Sequence, residues 1–465
     1  MVNSGARLDR LPISHFHRRM LILIGLGGLF DSFDIYLGGS VLAALVDDGW
    51  SNVTLNAFFI SATFGGMTIG AWLAGILGDK YGRRFTYQTN LLIFGLASLA
   101  AAFASNMEWL ICFRFVMGIG LGAELVAATG MLAEFIPPAH RGRWYALMSC
   151  LINCGMFLQT VLSSILIPAF TWRAMFLVAA AGGLVLWFLR KSMPESPRWL
   201  EQQGRFDEAE RVLQSIEADV ERHSGKPLPP LTHTTQASQI RAPLSSLFKP
   251  GIRSRTFVAS VICIVVNTTA FSFVTWLPTF FVKDGFSVAS SLGFISFMAL
   301  GGPVGAVIGY LLADKLGRRK GILASIPPAI ALAILYPMVR DPILTPLIGF
   351  LFLSCLYAFF AFGFYGYLGE LFPTSFRLRG IGFAHTVGRL FTMFTPFVVA
   401  ALYTNFAIFG VIGLVAGSLC AAFIAVLIWG LETRNRTLEE LDKDLPGEEP
   451  NSTATRADET IQRHV

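Results

Sequence analysis

The chain has 465 residues, of which 54% are hydrophobic and 14% charged, against roughly 25% charged in soluble domains. That composition excludes an ordinary soluble domain. The formal charge of +6 raises a nucleic-acid partner, but the placement of the charges removes that reading. Gly (45) and Phe (41) are abundant, as expected of membrane helices.

In chain order, a polar segment through residue 18 precedes six apolar stretches near 19–46, 54–78, 85–105, 108–134, 143–168 and 171–190. A hydrophilic linker, 191–254, leads to six more, near 255–281, 288–313, 320–340, 343–370, 379–402 and 405–430. Each is long enough to cross a hydrocarbon core of about 30 Å, which takes about 20 residues. The expected fold is an all-α membrane protein with twelve transmembrane helices in two six-helix bundles. The expected domains are residues 1–190, the linker 191–254 with short helices, 255–431, and a tail 432–465 that is disordered from Pro446. Within the linker, Leu200, Phe206, Ala209 and Leu213 fall at helical spacing in a helical stretch from Glu195 to Val220. The N-terminus is too polar for a cleavable signal. The six cysteines lie in apolar stretches with no CxxC. Cys150 and Cys154, one turn apart, are read as small buried packing residues, because two ligands rarely hold a metal. Neither metal nor cofactor is expected.

Lys and Arg fix the expected orientation. The N-terminus, the even-numbered connections and the tail hold 31 of 36 basic residues; the opposite side holds Arg173, Lys283 and Arg340, and Arg114 and Arg389 lie inside helices. Both termini and the linker are therefore placed in the cytoplasm. The positive charge is a topology signal.

The sequence repeats. Gly-Asp-Lys-Tyr-Gly-Arg-Arg at 78–84 returns as Ala-Asp-Lys-Leu-Gly-Arg-Arg at 313–319. Glu134 and Arg141 match Glu370 and Arg377, and Glu195 matches Glu432, all at offsets of 235–237. Two parallel halves of this kind are typical of transporters. In each copy a glycine permits a sharp turn and the acid (Asp79, Asp314) can meet the next helix's dipole. The arginines (Arg83, Arg84, Arg318, Arg319) pin the loop. With Glu134, Arg141, Glu370 and Arg377 they form candidate gating latches on the cytoplasmic face.

Gly75-x-x-x-Asp79-Lys-x-Gly82-Arg-Arg84 resembles the signature of the major facilitator superfamily, and it is present twice. Pro194-Glu-Ser-Pro-Arg-Trp-Leu200 resembles the sugar porter branch and its organic-anion relatives. The run from Arg114 through Gly118, Gly120 and Gly122 to Glu124, Glu134 and Arg141-Gly-Arg143 is similar to proton-coupled metabolite and nicotinate-type carriers. The stretch Val266-Asn-Thr-Thr-Ala-Phe-Ser-Phe-Val-Thr-Trp-Leu-Pro278 replaces the glutamine-rich motif of sugar porters, and helix 5 lacks their early glutamine. Both departures argue against a hexose.

Ionisable groups at membrane depth cost about 2.5–3.5 kcal/mol or more and mark functional sites. Helix 1 carries Asp31 and Asp34 at spacing i, i+3, one face, where two carboxylates cannot ionise independently. They are the expected proton carriers, Asp34 first; the resemblance places it on the coupling aspartate of proton-linked sugar porters. Arg114 is its expected partner, displaced by about 9 Å in depth at 1.5 Å per residue. Glu124 is either a further proton site or a helix-packing acid. Arg389 has no acid on its own helix and suits a carboxylate; His385, one turn away, titrates near neutrality or packs. The aromatics of helices 7 and 10 (Phe271, Phe273, Trp276, Phe359, Phe360, Phe362, Phe364, Tyr365, Tyr367) are expected mostly to face lipid or pack, with a few near the cavity.

The expected function is proton-coupled symport of a small organic anion, an aromatic or heteroaromatic carboxylate, by alternating access. The expected protein is monomeric, multi-pass and resident in the cell (inner) membrane. The alternatives are a sugar or polyol carrier or a proton-driven exporter. A receptor would be expected to lose intramembrane charges, and an enzyme lacks HExxH, GxSxG or P-loop motifs here.

Overall fold

In hydrocarbon a chain must satisfy its backbone hydrogen bonds internally, so each apolar run becomes a helix. The computed structural model describes residues 2–137, 141–224, 227–231, 244–339, 341–372 and 377–433, and among them no strand occurs. A short α1 (Ser4–Asp9) precedes the first six crossings: α2 (His15–Asp47), α3 (Val53–Tyr81), α4 (Arg83–Ala102), α5 (Met107–Phe135), α6 (Arg141–Phe170) and α7 (Arg173–Leu189). The connecting segment forms α8 (Pro197–Gln202) and α9 (Phe206–Ser224).

The second half is more broken. Its first crossing is α10 (Arg253–Thr269), a π-helical turn at Ala270–Val274 and α11 (Leu277–Lys283). The next is α12 (Val288–Ala299) with α13 (Gly301–Leu316), then α14 (Arg318–Leu335). The tenth joins α15 (Leu344–Phe360), a second π segment (Ala361–Tyr367) and α16 (Leu368–Leu371). The last helical run, α17 (Arg377–Trp429), is interrupted at Ala407 (φ 51°, ψ −147°) and so contains two crossings. Among the described residues ten stretches are long and apolar enough to span a membrane. With α17 resolved into two and the 29-residue α5 added, the crossings number twelve.

Local chemistry sets the helix starts. Asn52 Oδ1 accepts the Leu55 N–H and Asn106 Oδ1 accepts the Trp109 N–H, both at 2.9 Å, satisfying amides that a helix leaves free. The two repeat glycines take positive φ, Gly82 at 102° and Gly317 at 85°. That conformation is strained for any other L residue, and it is what starts α4 and α14 so abruptly.

Within the first half α3 packs on α5, α4 on α7 and α2 on α6. Within the second, α10 packs on α17 and α15 on α13 and α14. The halves meet through α3 with α17, α6 with α12 and α2 with α11. The seam is tight at the end away from the termini. There Phe33, Leu37 and Val41 of α2 share one buried cluster with Trp276, Phe280 and Leu292 of the second half.

Several expectations are corrected. In the linker, α8 and α9 are separated at Gly204 (φ 74°), so the expected helical spacing breaks at Phe206, which is 49% exposed, while Leu200, Ala209 and Leu213 are buried. The cysteines are not uniformly buried packing residues: Cys263 is, but Cys112, Cys150 and Cys420 are exposed on the protein surface and Cys154 is partly so. Of the two placements expected for the aromatics, lipid or packing, Phe273, Trp276, Phe359, Phe360, Phe362 and Tyr367 take packing. The tail from residue 434, including the expected disorder after Pro446, and most of loop 227–242 lie outside the described residues.

Candidate functional site

The site begins on α2, whose Gly25, Gly27 and Gly28 let neighbours approach closely. A Cβ on Gly27 would collide with the guanidinium of Arg190 and the carboxylate of Glu124. Arg190 Nη1 lies 2.6 Å from Glu124 Oε1, with both side chains at most 2% exposed. The angle is poor for a directed hydrogen bond, and both Glu124 oxygens lack a hydrogen-bond donor. Arg190 spends its donors elsewhere: Nε and Nη2 reach the Leu23 carbonyl at 3.0 and 2.9 Å. Its guanidinium also covers the Tyr87 ring at 4.1 Å. One buried cation thus ties α2, α4, α5 and the end of α7 together. The sequence reading placed Arg190 among the surface topology charges, and the structure corrects this. A basic residue at the end of an apolar run reads as snorkelling to the interface; only the acid at Glu124 hinted otherwise.

One turn beyond Gly27 stands Asp31, 9% exposed, whose Oδ2 is buried without a hydrogen-bond partner. Three residues on, Asp34 is closed by Arg114. Nη1 reaches Asp34 Oδ2 at 2.5 Å and Nη2 reaches the Asp34 carbonyl at 2.7 Å. The side chains are 1% and 0% exposed, and Arg114 also lies over the Phe59 ring at 5.0 Å. The cavity beside this pair, lined by Gly38, Phe59, Thr63, Phe64 and Phe271 among others, holds only about 10 Å³, too little for a solute. Arg114 is therefore sealed in this state.

Between the halves, Tyr36 of α2 and Tyr357 of α15 join hydroxyls at 3.0 Å. The Tyr357 hydroxyl also donates to Met156 Sδ of α6 at 3.1 Å. Phe271, in the first π segment, lies over Tyr36 at 6.2 Å and edge-on to Phe64 at 4.5 Å. Phe271 and Phe364 remain half-buried where the other aromatics are not. π segments of this kind often sit at functional sites, and no pattern in the sequence announced them.

Arg389 lies on α17, one turn from Met393, whose carbonyl accepts Ser61 Oγ of α3 at 2.8 Å. The Arg389 face is thus turned toward the first half. Arg389 makes no ion pair among the described residues, and His385, one turn back, meets the Phe364 ring edge-on at 4.7 Å. Both keep partial exposure. A residue the sequence reading missed is Gln159 on α6, 0% exposed. Its Nε2 donates to Ser40 Oγ and Ser163 Oγ at 3.0 and 2.6 Å, and its Oε1 has no partner.

On the face carrying the termini, the repeat motifs form matched contacts. Arg83 Nε lies 3.3 Å from Glu134 Oε1 and Arg318 Nε 3.2 Å from Glu370 Oε1. Arg84 Nη2 donates to the Lys191 carbonyl at 2.6 Å, and Arg319 Nη2 to the Leu427 carbonyl at 2.9 Å. Glu195 accepts the N–H groups of Arg83 and Arg84 at 3.0 and 3.2 Å, capping α4. Burial pushes its carboxyl above the ordinary range, against the pull of the N–H groups of Ser196, Arg84 and Arg83. The side chains of Asp79, Arg141, Asp314, Tyr365 and Arg377 lie outside the described residues.

A network not foreseen in the sequence joins α1 to α8 and α9. Arg7 pairs with Glu210 and Glu217 at 2.5 and 2.6 Å, and Arg10 with Glu217 at 2.7 Å. Glu201 accepts the N–H groups of Asn3 and Ser4 at 3.0 and 2.9 Å.

Residues 15–445 match the family described as "Sugar (and other) transporter". The chain is 39% identical over 446 residues to the inner membrane metabolite transport protein YdjE of Escherichia coli (strain K12), covering 94% of this chain and 98% of that one. It is 31% identical to the niacin transporter NiaP of Acinetobacter baylyi (strain ATCC 33305 / BD413 / ADP1), covering 94% and 99%. A solved D-xylose–proton symporter shares the fold, with a TM-score of 0.69 at 19% identity over 90% of this chain and 99% of that one. The chain belongs to the sugar (and other) transporter family of the major facilitator superfamily, and it is a multi-pass membrane transporter of the sugar and metabolite type rather than an enzyme.

Proposed function

We propose that this transporter carries a small organic anion, an aromatic or heteroaromatic carboxylate, in symport with protons. The observation that carries the reading is Arg389: a cation without an ion pair among the described residues, turned toward the opposite half, where the acids Asp34 and Glu124 already have arginines. An unpaired charge in such a place is costly, and a carboxylate relieves it with two parallel hydrogen bonds to the planar guanidinium. Phe271, Tyr36 and Phe364 nearby offer faces on which a planar ring can stack. The likeness to a niacin transporter supports a carboxylate on a pyridine ring. The α2 acids, Asp31 and Asp34, supply the proton site. The latches on the terminal face gate access from the cytoplasm, where both termini lie in this reading.

The test is uptake into proteoliposomes under an imposed pH gradient, comparing pyridine-3-carboxylate with its uncharged amide. The acid should accumulate and the amide should not; Arg389→Gln should abolish the difference. Preference for the amide would sink the anion reading. A neutral polyol is favoured by one feature, the buried and unsatisfied Gln159 Oε1. Equal loss of acid and amide in Arg389→Gln would move that reading ahead.

A further inference from the structure

Resting on the anion reading, we infer that Asp31 and Arg389 form a single charge site spanning the two halves, which a proton and a carboxylate take over together, so that each monocarboxylate crosses with one proton and no net charge. The inference comes from counting which buried charges are already matched. Asp34 is held by Arg114 and Glu124 by Arg190, each within 2.6 Å. Asp34 Oδ1 also lacks a hydrogen-bond donor, yet its charge is compensated on the spot. Arg255, buried at the start of α10, donates to the Leu371 carbonyl; what remains among the described residues is one negative group on the first half, Asp31, with a buried oxygen unpartnered, and one positive group within the second half, Arg389.

The charged groups that act on Asp31 through space are Glu124 from α5, Arg190 from the end of α7, Asp34 on its own helix and Arg389 from α17. Of the other helices packed on α2, α12 carries no charged residue, and α3, α6 and α11 carry them only at their ends: Asp79 and Lys80, Arg141 and Arg143, and Lys283; α9, charged along its length, stacks His223 on His15 at the start of α2, four turns from Asp31. With the two local couples neutral, Arg389 is the counter-charge left to Asp31.

The occluded carrier must then be neutral in both of its crossing forms. Empty, it holds ionised Asp31 opposite Arg389. Loaded, the carboxylate takes Arg389, and Asp31, deprived of its counter-charge, binds a proton from solution. The cargo adds one negative and one positive charge. The two half-loaded forms would bury an unmatched charge, so both are disfavoured during occlusion. Coupling follows from that penalty without any direct contact between proton and substrate.

The full chain in proteoliposomes decides the matter, with potential clamped by potassium and valinomycin and pyridine-3-carboxylate or benzoate as probe. Accumulation should follow the pH gradient, about tenfold per pH unit, and should not change between 0 and −100 mV. One net charge per cycle would change it about 50-fold and would overturn the inference while leaving proton-coupled anion transport standing. Failure to accumulate either acid would instead overturn the anion reading and this inference with it. Asp31→Asn should keep exchange of labelled for unlabelled carboxylate, because its loaded form stays neutral, yet lose net uptake, because its empty form buries Arg389 unmatched. Loss of exchange and uptake together, in a variant that still binds the acid, would assign Asp31 a structural role. If Asp34→Asn alone were to give exchange without uptake while Asp31→Asn behaved as wild type, the inference would likewise fall.

Discussion

The rim and the interior of the molecule treat its internal repeat differently. At the rim the duplication is nearly literal: Arg83–Glu134 and Arg318–Glu370 differ by 0.1 Å, at 3.3 and 3.2 Å, and Gly82 and Gly317 both take positive φ. In the interior it is broken. The first half buries Asp31, Asp34, Arg114, Glu124 and Arg190, whereas the second presents Arg389, which has no acid on its own helix and makes no ion pair among the described residues. The rim must perform one mechanical task twice, holding a loop against a helix end. The interior must present different chemistry to the two sides of one solute, so symmetry there has no use.

The sharpest way to break this comparison is to remove one member of a closed couple. Glu124→Gln strands Arg190 in a buried site, and loss of one partner of a buried pair typically costs about 3–5 kcal/mol. Thermal unfolding in detergent should show a large fall for Glu124→Gln and a recovery of most of it in Glu124→Gln/Arg190→Met. Arg389→Gln, which removes a partly exposed cation with no ion pair among the described residues, should lower the unfolding temperature far less. Equal destabilisation by Glu124→Gln and Arg389→Gln would erase the contrast between the halves.

At the rim the two halves should respond alike. Arg83→Gln and Arg318→Gln each remove a partly exposed ion pair, worth about 0–1 kcal/mol. Their unfolding temperatures should shift by similar, small amounts, while transport rates fall in both. A large effect in one alone would mean that the matched distances conceal different roles.

The smallest effect belongs to α1. Burial pushes the Glu217 carboxyl up, but hydrogen bonds and charge from Arg7 and Arg10 prevail and hold it below the ordinary carboxylate range. A depressed carboxylate contributes stability above its unfolded pKa and loses it as pH falls through the folded one. Protection of the Ser4–Asp9 amides against hydrogen exchange should therefore persist at neutral pH and weaken on acidification through that range. In Glu217→Gln it should be weak at every pH. Protection that is indifferent to both changes would place the hold on α1 in Leu8 and Leu11, which are buried.

The crossings were legible because hydropathy and length alone constrain a chain in lipid, and the predicted boundaries fall within four residues of α2 through α7. The repeat exposed the rim motifs, since charged loops between apolar runs stand out. The Arg114–Asp34 contact was accessible from depth arithmetic. Four features were not. Arg190 sits where a topology charge is ordinary, α1 is six residues long and too short to show a period, and the π segments depend on how α10 and α15 pack rather than on local propensity. Gln159 went unnoticed because one amide in an apolar helix carries no pattern.

The central claim is that Arg389, in mid-helix in the second half, receives a carboxylate. Equilibrium titration of purified protein with pyridine-3-carboxylate and with pyridine-3-carboxamide, in wild type, Arg389→Lys and Arg389→Gln, tests it most directly. The acid should bind wild type well above the amide. Lysine, which keeps the charge but not the planar fork, should weaken the acid, and glutamine should weaken it further, by about 10–100-fold for a lost charged hydrogen-bonding partner, with the amide little changed in both variants. Binding of acid and amide with equal affinity in wild type, or undiminished binding of the acid in Arg389→Gln, would contradict it.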